Sequence, residues 1–179
     1  MSKENKTRWS DTKRNLSKLS PEDLMKLVSE LYALSPQNKD FLDAKFIRGD
    51  DILERYRNQI KEYIAPTEPW KYDIQVSKAK KILSLYKKAT GDDVGLPDLM
   101  ISYAEYGADF TAQYGISYGD NEPYLCSLTV VFKDAVRMVR KLGLEKNHPL
   151  FMKLISVSKK MVDAHIVEEE ELGEIFNNL

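Results

Sequence analysis

The sequence predicts an all-α protein, and three observations lead to that prediction. Glycine and proline are scarce, with 8 and 7 among 179 residues, whereas lysine, glutamate, leucine and alanine are plentiful. Apolar residues recur at three- and four-residue spacings between clear helix start and stop signals. No segment alternates convincingly between polar and apolar residues, as a half-buried strand would. We therefore expect seven to eight helices in an irregular stack of antiparallel hairpins, with a solenoid-like arrangement as the alternative.

Two serine–proline signals mark the first pair of helices. Ser20 precedes Pro21, and Asp23 occupies the third helical position of LSPEDLMKLVSELYAL, as in a capping box. The dipeptide Ser35-Pro36 then restarts the chain as PQNKDFLDAKFI. Almost no linker separates the two segments, so they predict an antiparallel helix hairpin. The apolar stripe of the first helix is Leu24, Leu27, Val28, Leu31 and Leu34, and the expected buried set of the second is Phe41, Leu42, Phe46 and Ile47.

Six further helical segments follow, separated by loops that contain proline, glycine or asparagine. They are DILERYRNQIKEYI, residues 74–90 with Gly91 as the stop signal, residues 96–115, residues 121–142, a segment that begins at Pro149, and the short acidic end EEELGEIFNNL. The predicted organisation is a basic N-terminal segment, residues 1–19, followed by a single all-helical domain, residues 20–179.

Composition and charge exclude several classes of protein. Hydrophobic residues make up 42% and charged residues 31% of the chain, which supports a packed core and excludes a disordered chain. The formal net charge is −1, so the chain as a whole is not a basic nucleic-acid-binding protein. The opening MSKENKTRWS lacks the apolar core of a signal peptide, and no run reaches the length of a membrane span. With Cys126 as its single cysteine, the protein is expected to be cytoplasmic, without disulfides and without membrane contact.

Residues 103–124, YAEYGADFTAQYGISYGDNEPY, contain five tyrosines and one phenylalanine. On a helix, the apolar residues of this region form a narrow stripe: Leu99, Tyr103, Tyr106, Phe110 and Tyr114. A different, polar side of the helix carries Ser102, Glu105, Asp109 and Gln113. This layout favours a core helix over a surface that stacks on a ligand. The turn that follows, Tyr118 to Glu122, suits a tight turn and a helix cap, and we keep it as a candidate contact site.

Signatures of catalysis or metal binding are weak. His148 and His165 are the only histidines, and neither has a second histidine or cysteine at metal-ligand spacing. Glu105 and Asp109 lie one turn apart and would suit Mg²⁺ or acid–base chemistry, but pairing with lysine or arginine on a solvated face is favoured. Cys126 is expected to be a buried structural thiol. These residues predict a protein that is not an enzyme and that holds no metal or cofactor.

The basic N-terminal segment supports a different function. Residues 1–20 carry six basic and two acidic side chains, a net charge of +4. Arg8, Trp9, Lys13 and Arg14 place cations beside an aromatic ring, which suits contact with phosphates and stacking on a base. The alternatives are a mobile solubilising tail and a short helix that docks on the rest of the chain.

Two segments, LSPEDLMKLVSELYALSPQNKDFLDAKF and FTAQYGISYGDNEPYLCSLTVVFKDAVRMVRKLG, resemble an uncharacterised family of small bacterial proteins. The resemblance spans most of the chain beyond residue 15. It implies an all-helical fold and a bacterial or phage setting, and it transfers no catalytic residue.

The leading functional prediction is a non-enzymatic helical protein–protein interaction module of the adaptor or inhibitor type. Its predicted contact residues are Trp70 and Tyr72 in the loop EPWKYD, together with Tyr118 and Asp120, because aromatic side chains often anchor interfaces. The alternative for this loop is that its aromatic side chains fold back onto the protein. Nucleic-acid association through the basic N-terminal segment is the second prediction, and a metal-assisted hydrolase at the Glu105 carboxylate pair is the third.

Overall fold

The computed structural model describes residues 3–47, 50–69, 73–119 and 121–177, and these residues form nine α-helices and no strand. The predicted all-α fold class is therefore confirmed. Internal contacts divide the chain into two compact units, Met1–Phe46 and Ile47–Leu179. The boundary predicted from the sequence lies after residue 19 instead. The difference arises because the helices on both sides of residue 19 belong to the same compact unit.

The first unit contains α1 (Lys3–Leu16), α2 (Pro21–Leu34) and α3 (Pro36–Phe46). Ser20 caps α2 as predicted: its hydroxyl oxygen accepts a hydrogen bond from the Asp23 N–H at 3.1 Å, and the hydroxyl donates one to the Asp23 carboxylate at 2.8 Å. The hydroxyl oxygen of Ser35 accepts a hydrogen bond from the Asn38 N–H at 3.2 Å, so α3 begins directly after α2 ends. The two helices pack against each other, which confirms the predicted pair.

The second unit contains the other six described helices, which are α4 (Asp50–Ile64), α5 (Val76–Thr90), α6 (Gly95–Tyr114), α7 (Glu122–Lys141), α8 (Pro149–Asp163) and α9 (Glu169–Asn177). Gly91 ends α5 in the left-handed conformation, with φ of 61°, and its N–H bonds to the carbonyl oxygen of Lys87. This confirms the predicted stop signal. In the described ranges, no helix combines the length and the apolar composition that a membrane crossing needs.

Helix α6 lies at the centre of the second unit, where it packs against α4, α5, α7 and α8. Leu99, Tyr103 and Phe110 of the predicted stripe are buried, as expected, whereas Tyr114 at the end of the helix is exposed. On the predicted polar side, Ser102 is only 1% exposed because neighbouring helices cover it, whereas Asp109 and Gln113 are exposed as predicted. The sequence therefore underestimated the burial of this side of α6 at Ser102 only.

The extensive helix contacts in the described residues join helices that are one or two positions apart along the chain. Helix α4 packs on α5 and α6, α6 packs on α7 and α8, and α7 packs on α8 and α9. Stacked helix hairpins produce this pattern, because each hairpin contacts its neighbours. Contacts of such short sequence separation also favour rapid folding.

Candidate functional site

Three of the four predicted contact residues, Trp70, Tyr72 and Asp120, lie outside the described residues. The fourth, Tyr118, is about half exposed. Its hydroxyl donates a hydrogen bond to the backbone carbonyl oxygen of Ile166 at 2.9 Å. Tyr118 therefore ties the turn after α6 to the segment after α8, and its polar end already has a partner within the chain.

The residues that border the predicted contact loops line one groove of about 540 Å³ in the second unit. Pro69 and Asp73 come from the border of the first loop, and Asn121 comes from the border of the second. The other lining residues are mostly apolar or aromatic: Ile74, Val76, Phe110, Tyr114, Ile116, Pro123 and Tyr124. Two loops that are far apart in sequence thus adjoin the same groove, which the sequence alone does not reveal.

The four residues predicted to contact nucleic acid, Arg8, Trp9, Lys13 and Arg14, lie on α1 and are exposed. With 100° between successive residues, Trp9 and Lys13 share one side of the helix, whereas Arg8 and Arg14 point in two other directions. Arg14 also pairs with Asp11, with Nη2 and Oδ1 3.4 Å apart. Helix α1 therefore does not gather these four side chains on one face.

Polar side chains of α6 form a line of contacts with α4 and α8, which we call the ionic seam; its members are Arg57, Asp98, Ser102, Glu105, Asp109, Lys153 and Lys160. The ammonium of Lys153 on α8 donates hydrogen bonds to the Asp98 carboxylate at 2.8 Å and to the Ser102 hydroxyl at 2.7 Å. Arg57 on α4 binds the other oxygen of the same carboxylate and also contacts Glu54 at 2.9 Å. Asp98 thereby connects three helices.

The carboxylate pair that the sequence singled out is bridged by a lysine. Nζ of Lys160 lies 2.9 Å from the carboxylate of Glu105 and 3.0 Å from that of Asp109. This confirms the favoured interpretation, pairing with a basic residue. The ammonium also occupies the position between the carboxylates that a metal ion would take, and the described residues contain no group of three or more potential metal ligands.

The pKa values of two seam cations lie above their ordinary values. Burial lowers the pKa of Arg57, but its hydrogen bonds to Asp98 and Glu54 outweigh that effect and raise the pKa overall. Burial likewise lowers the pKa of Lys160, and the hydrogen bonds to Glu105 and Asp109 again raise it overall. Both cations stay charged near neutral pH, where a general acid or base would need to exchange a proton. The seam is thus suited to joining helices.

Cys126 and His148 carry chemically reactive side chains, and the structure places one on the surface and the other at a helix start. The prediction that Cys126 is buried is wrong, because its thiol is exposed on α7. The neighbouring Leu125 and Leu128 face the core, and the helical rotation turns Cys126 away from them. His148 caps α8, because its Nδ1 accepts a hydrogen bond from the N–H of Leu150 at 3.2 Å.

Helix α2 exposes the apolar stripe that the sequence identified, and none of its residues is buried. We define the α2 face as Leu24, Val28 and Leu31, which lie on one side of the helix and are 37%, 38% and 43% exposed. Met25 and Tyr32 flank this face and are also exposed. Phe46 and Ile47, which the sequence predicted as buried, are exposed too, so that prediction is wrong.

No family model matches the chain, and no curated protein or solved structure is significantly similar to it. The resemblance to a family of small bacterial proteins therefore stays a prediction.

Proposed function

We propose that the protein is a non-enzymatic helical module, of the adaptor or inhibitor type, that binds another protein through the α2 face. The observation that supports this proposal is the near absence of a core in the described part of residues 1–46. Ala44 is the one buried hydrophobic side chain there. The exposed large hydrophobic side chains are Trp9, Leu19, Leu24, Met25, Val28, Leu31, Tyr32, Leu34 and Phe46. A contiguous apolar surface, such as the α2 face, marks interaction sites in proteins.

A partner would supply the stabilisation that α2 lacks. A helix of 14 residues is marginal in water, and most helices gain their stability by burying an amphipathic face. Complete burial of a leucine or valine side chain contributes about 1.5 to 3 kcal/mol, and the α2 face has part of that contribution still to gain. A partner helix with its own apolar stripe would pack lengthwise against Leu24, Val28 and Leu31.

The proposal keeps the cytoplasmic location predicted from the sequence, and it keeps nucleic-acid association as the second function. A chain with one cysteine suits a reducing compartment, so we place this function in the cytoplasm. Nucleic-acid association through α1 has less support than protein binding, because the predicted contact cations Arg8, Lys13 and Arg14 do not lie on one face of the helix.

The experiment introduces a photo-crosslinking amino acid at Val28 of the full chain, with Lys26 on the opposite side of α2 as the control position. In cells that produce the protein, we expect position 28 to form one discrete adduct with another protein and position 26 to form none. Cross-links from position 28 that reach only residues 47–179 of the same chain would contradict the proposal.

A second arm tests whether the apolar face itself makes the contact. With the crosslinker at Leu24, the double variant Val28→Asp, Leu31→Asp should lose the adduct. The control is Lys26→Asp, which changes the net charge by the same amount on the other side of the helix. Equal loss in both variants would indicate a charge effect and would also contradict the proposal.

A further inference from the structure

A separate cavity of about 500 Å³ lies in the second unit where α7, α8 and α9 meet, and we call it the α7–α9 cavity. Val136, Val139 and Leu154 line it with buried apolar side chains. Phe151 of α8 and Phe176 of α9 add two aromatic side chains to the lining. The volume falls within the range of small-molecule sites, which are mostly apolar with a few polar groups.

Two cations, Arg140 and Lys146, belong to the same lining and are exposed. Within the described part of the chain, neither side chain forms an ion pair or a hydrogen bond, and no acidic side chain lines the cavity. Lys153 and Lys160 of the ionic seam, by contrast, each have a carboxylate partner. An apolar cavity with two unpaired cations complements a molecule with an anionic head and an apolar tail.

The helix dipole does not account for both cations. Arg140 and Lys141 lie in the last turn of α7, where positive charge is favourable. Lys146 lies beyond the end of that helix and still lines the cavity, whereas Lys141 does not line it. The shared property of Arg140 and Lys146 is therefore their position at the cavity.

We propose that the α7–α9 cavity binds a free medium-chain fatty carboxylate. The alkyl chain packs against Val136, Val139 and Leu154, and the carboxylate accepts hydrogen bonds from Arg140 and Lys146. Because α9 contributes Phe176, the bound ligand also holds α9 against the rest of the second unit. The cavity belongs to the second unit and the α2 face to the first, so each proposal can fail without the other.

Isothermal titration calorimetry on the full chain tests this proposal with octanoate, octan-1-ol and acetate. Octanoate should bind with one site per chain, and the uncharged alcohol and the short acid should bind much more weakly. The double variant Arg140→Ser, Lys146→Ser should weaken octanoate binding by at least about tenfold, since two charge-assisted hydrogen bonds are lost. The matched control, Lys141→Ser with Lys159→Ser, removes two cations outside the cavity and should leave the affinity unchanged.

Hydrogen exchange gives a second measurement, because octanoate should slow amide exchange in α9. Melting temperatures of the unliganded variants establish that each is folded; Arg140 and Lys146 are exposed, so little change is expected. Equal binding of octan-1-ol, equal loss in the two double variants, or binding to vesicles of phosphatidylglycerol without binding to octanoate would overturn the proposal.

Discussion

The two units of the chain use the same local signals but differ in how they bury apolar residues. A capping serine and proline start α2 in the first unit, and a capping histidine and proline start α8 in the second. Yet α2 has no buried residue, whereas α8 buries Leu150, Leu154, Val157 and Met161. Start and stop signals therefore specify that a helix forms, and the surrounding helices decide whether its apolar face is covered. The second unit buries a core of its own, and the first leaves the α2 face exposed.

The largest expected effect comes from truncating the core of the second unit. Phe132 is fully buried, so Phe132→Ala should lower the free energy of unfolding by about 3 to 5 kcal/mol. Leu31→Ala in the α2 face should cost less than about 1 kcal/mol, because the side chain is already partly exposed. Urea denaturation measures both values, and similar losses for the two variants would contradict the contrast between the units.

A smaller effect is expected at Gly107, where α6 packs against Leu128 of α7. A Cβ atom at Gly107 would lie 2.3 Å from a methyl carbon of Leu128, so Gly107→Ala should destabilise the second unit by about 1 to 3 kcal/mol. Gly173 in α9 has nothing within 4 Å of the same position. Gly173→Ala should therefore be neutral or stabilise by up to about 1 kcal/mol, because alanine favours the helix. Thermal unfolding distinguishes the two signs.

Breaking the ionic seam should lower the free energy of unfolding by no more than Gly107→Ala does. Asp98→Asn removes the carboxylate that Arg57 and Lys153 share, and it leaves two part-buried cations without that partner. We expect a loss of about 1 to 2 kcal/mol, since solvent screens both cations in part. The exposed pair of Asp134 and Arg137 on α7 is the control, and Asp134→Asn should change stability by less than about 0.5 kcal/mol. Equal effects would show that the seam is no stronger than a surface pair.

Replacing the buried Tyr103 by phenylalanine should have the smallest effect on stability near neutral pH. The effect changes in alkaline solution, where the tyrosine titrates. Burial raises the pKa of Tyr103 to about 12, while the hydrogen bond to Ser127 acts in the opposite direction. A raised folded-state pKa means that the folded state holds the proton more tightly than the unfolded state. The resulting stability is complete below the unfolded pKa of about 10 and is lost as pH rises towards 12.

Tyr103→Phe removes this titration, so the variant should lose stability less steeply between pH 10 and 12. The difference in slope should approach at most about 1.4 kcal/mol for each pH unit. The variant should also lose about 1 kcal/mol at neutral pH, because the buried Ser127 hydroxyl loses its partner. Urea denaturation across this pH range gives both quantities, and parallel slopes would contradict the burial of Tyr103.

The sequence predicted the helices well and the contacts between helices less well, for physical reasons. The Ser20 cap, the restart at Ser35 and the stop at Gly91 depend on residues within four positions of each other, so their pattern is visible in the chain. Lys160 lies more than fifty positions from Glu105, and only the packing of α8 on α6 brings them together. The exposure of the Cys126 thiol likewise depends on which side of α7 the neighbouring helices cover. Apolar periodicity located the α2 stripe, but it could not distinguish a covered face from an open one.

Amide hydrogen exchange of the purified full chain tests this contrast most directly, because exchange reports local opening of each helix. Amides of α2 should exchange much faster than amides of α6, since α2 lacks buried packing and α6 is covered by four helices. Slow exchange in α2, equal to that of α6, would show that the α2 face is already covered within the chain. That result would contradict the proposal that this face is open to a partner.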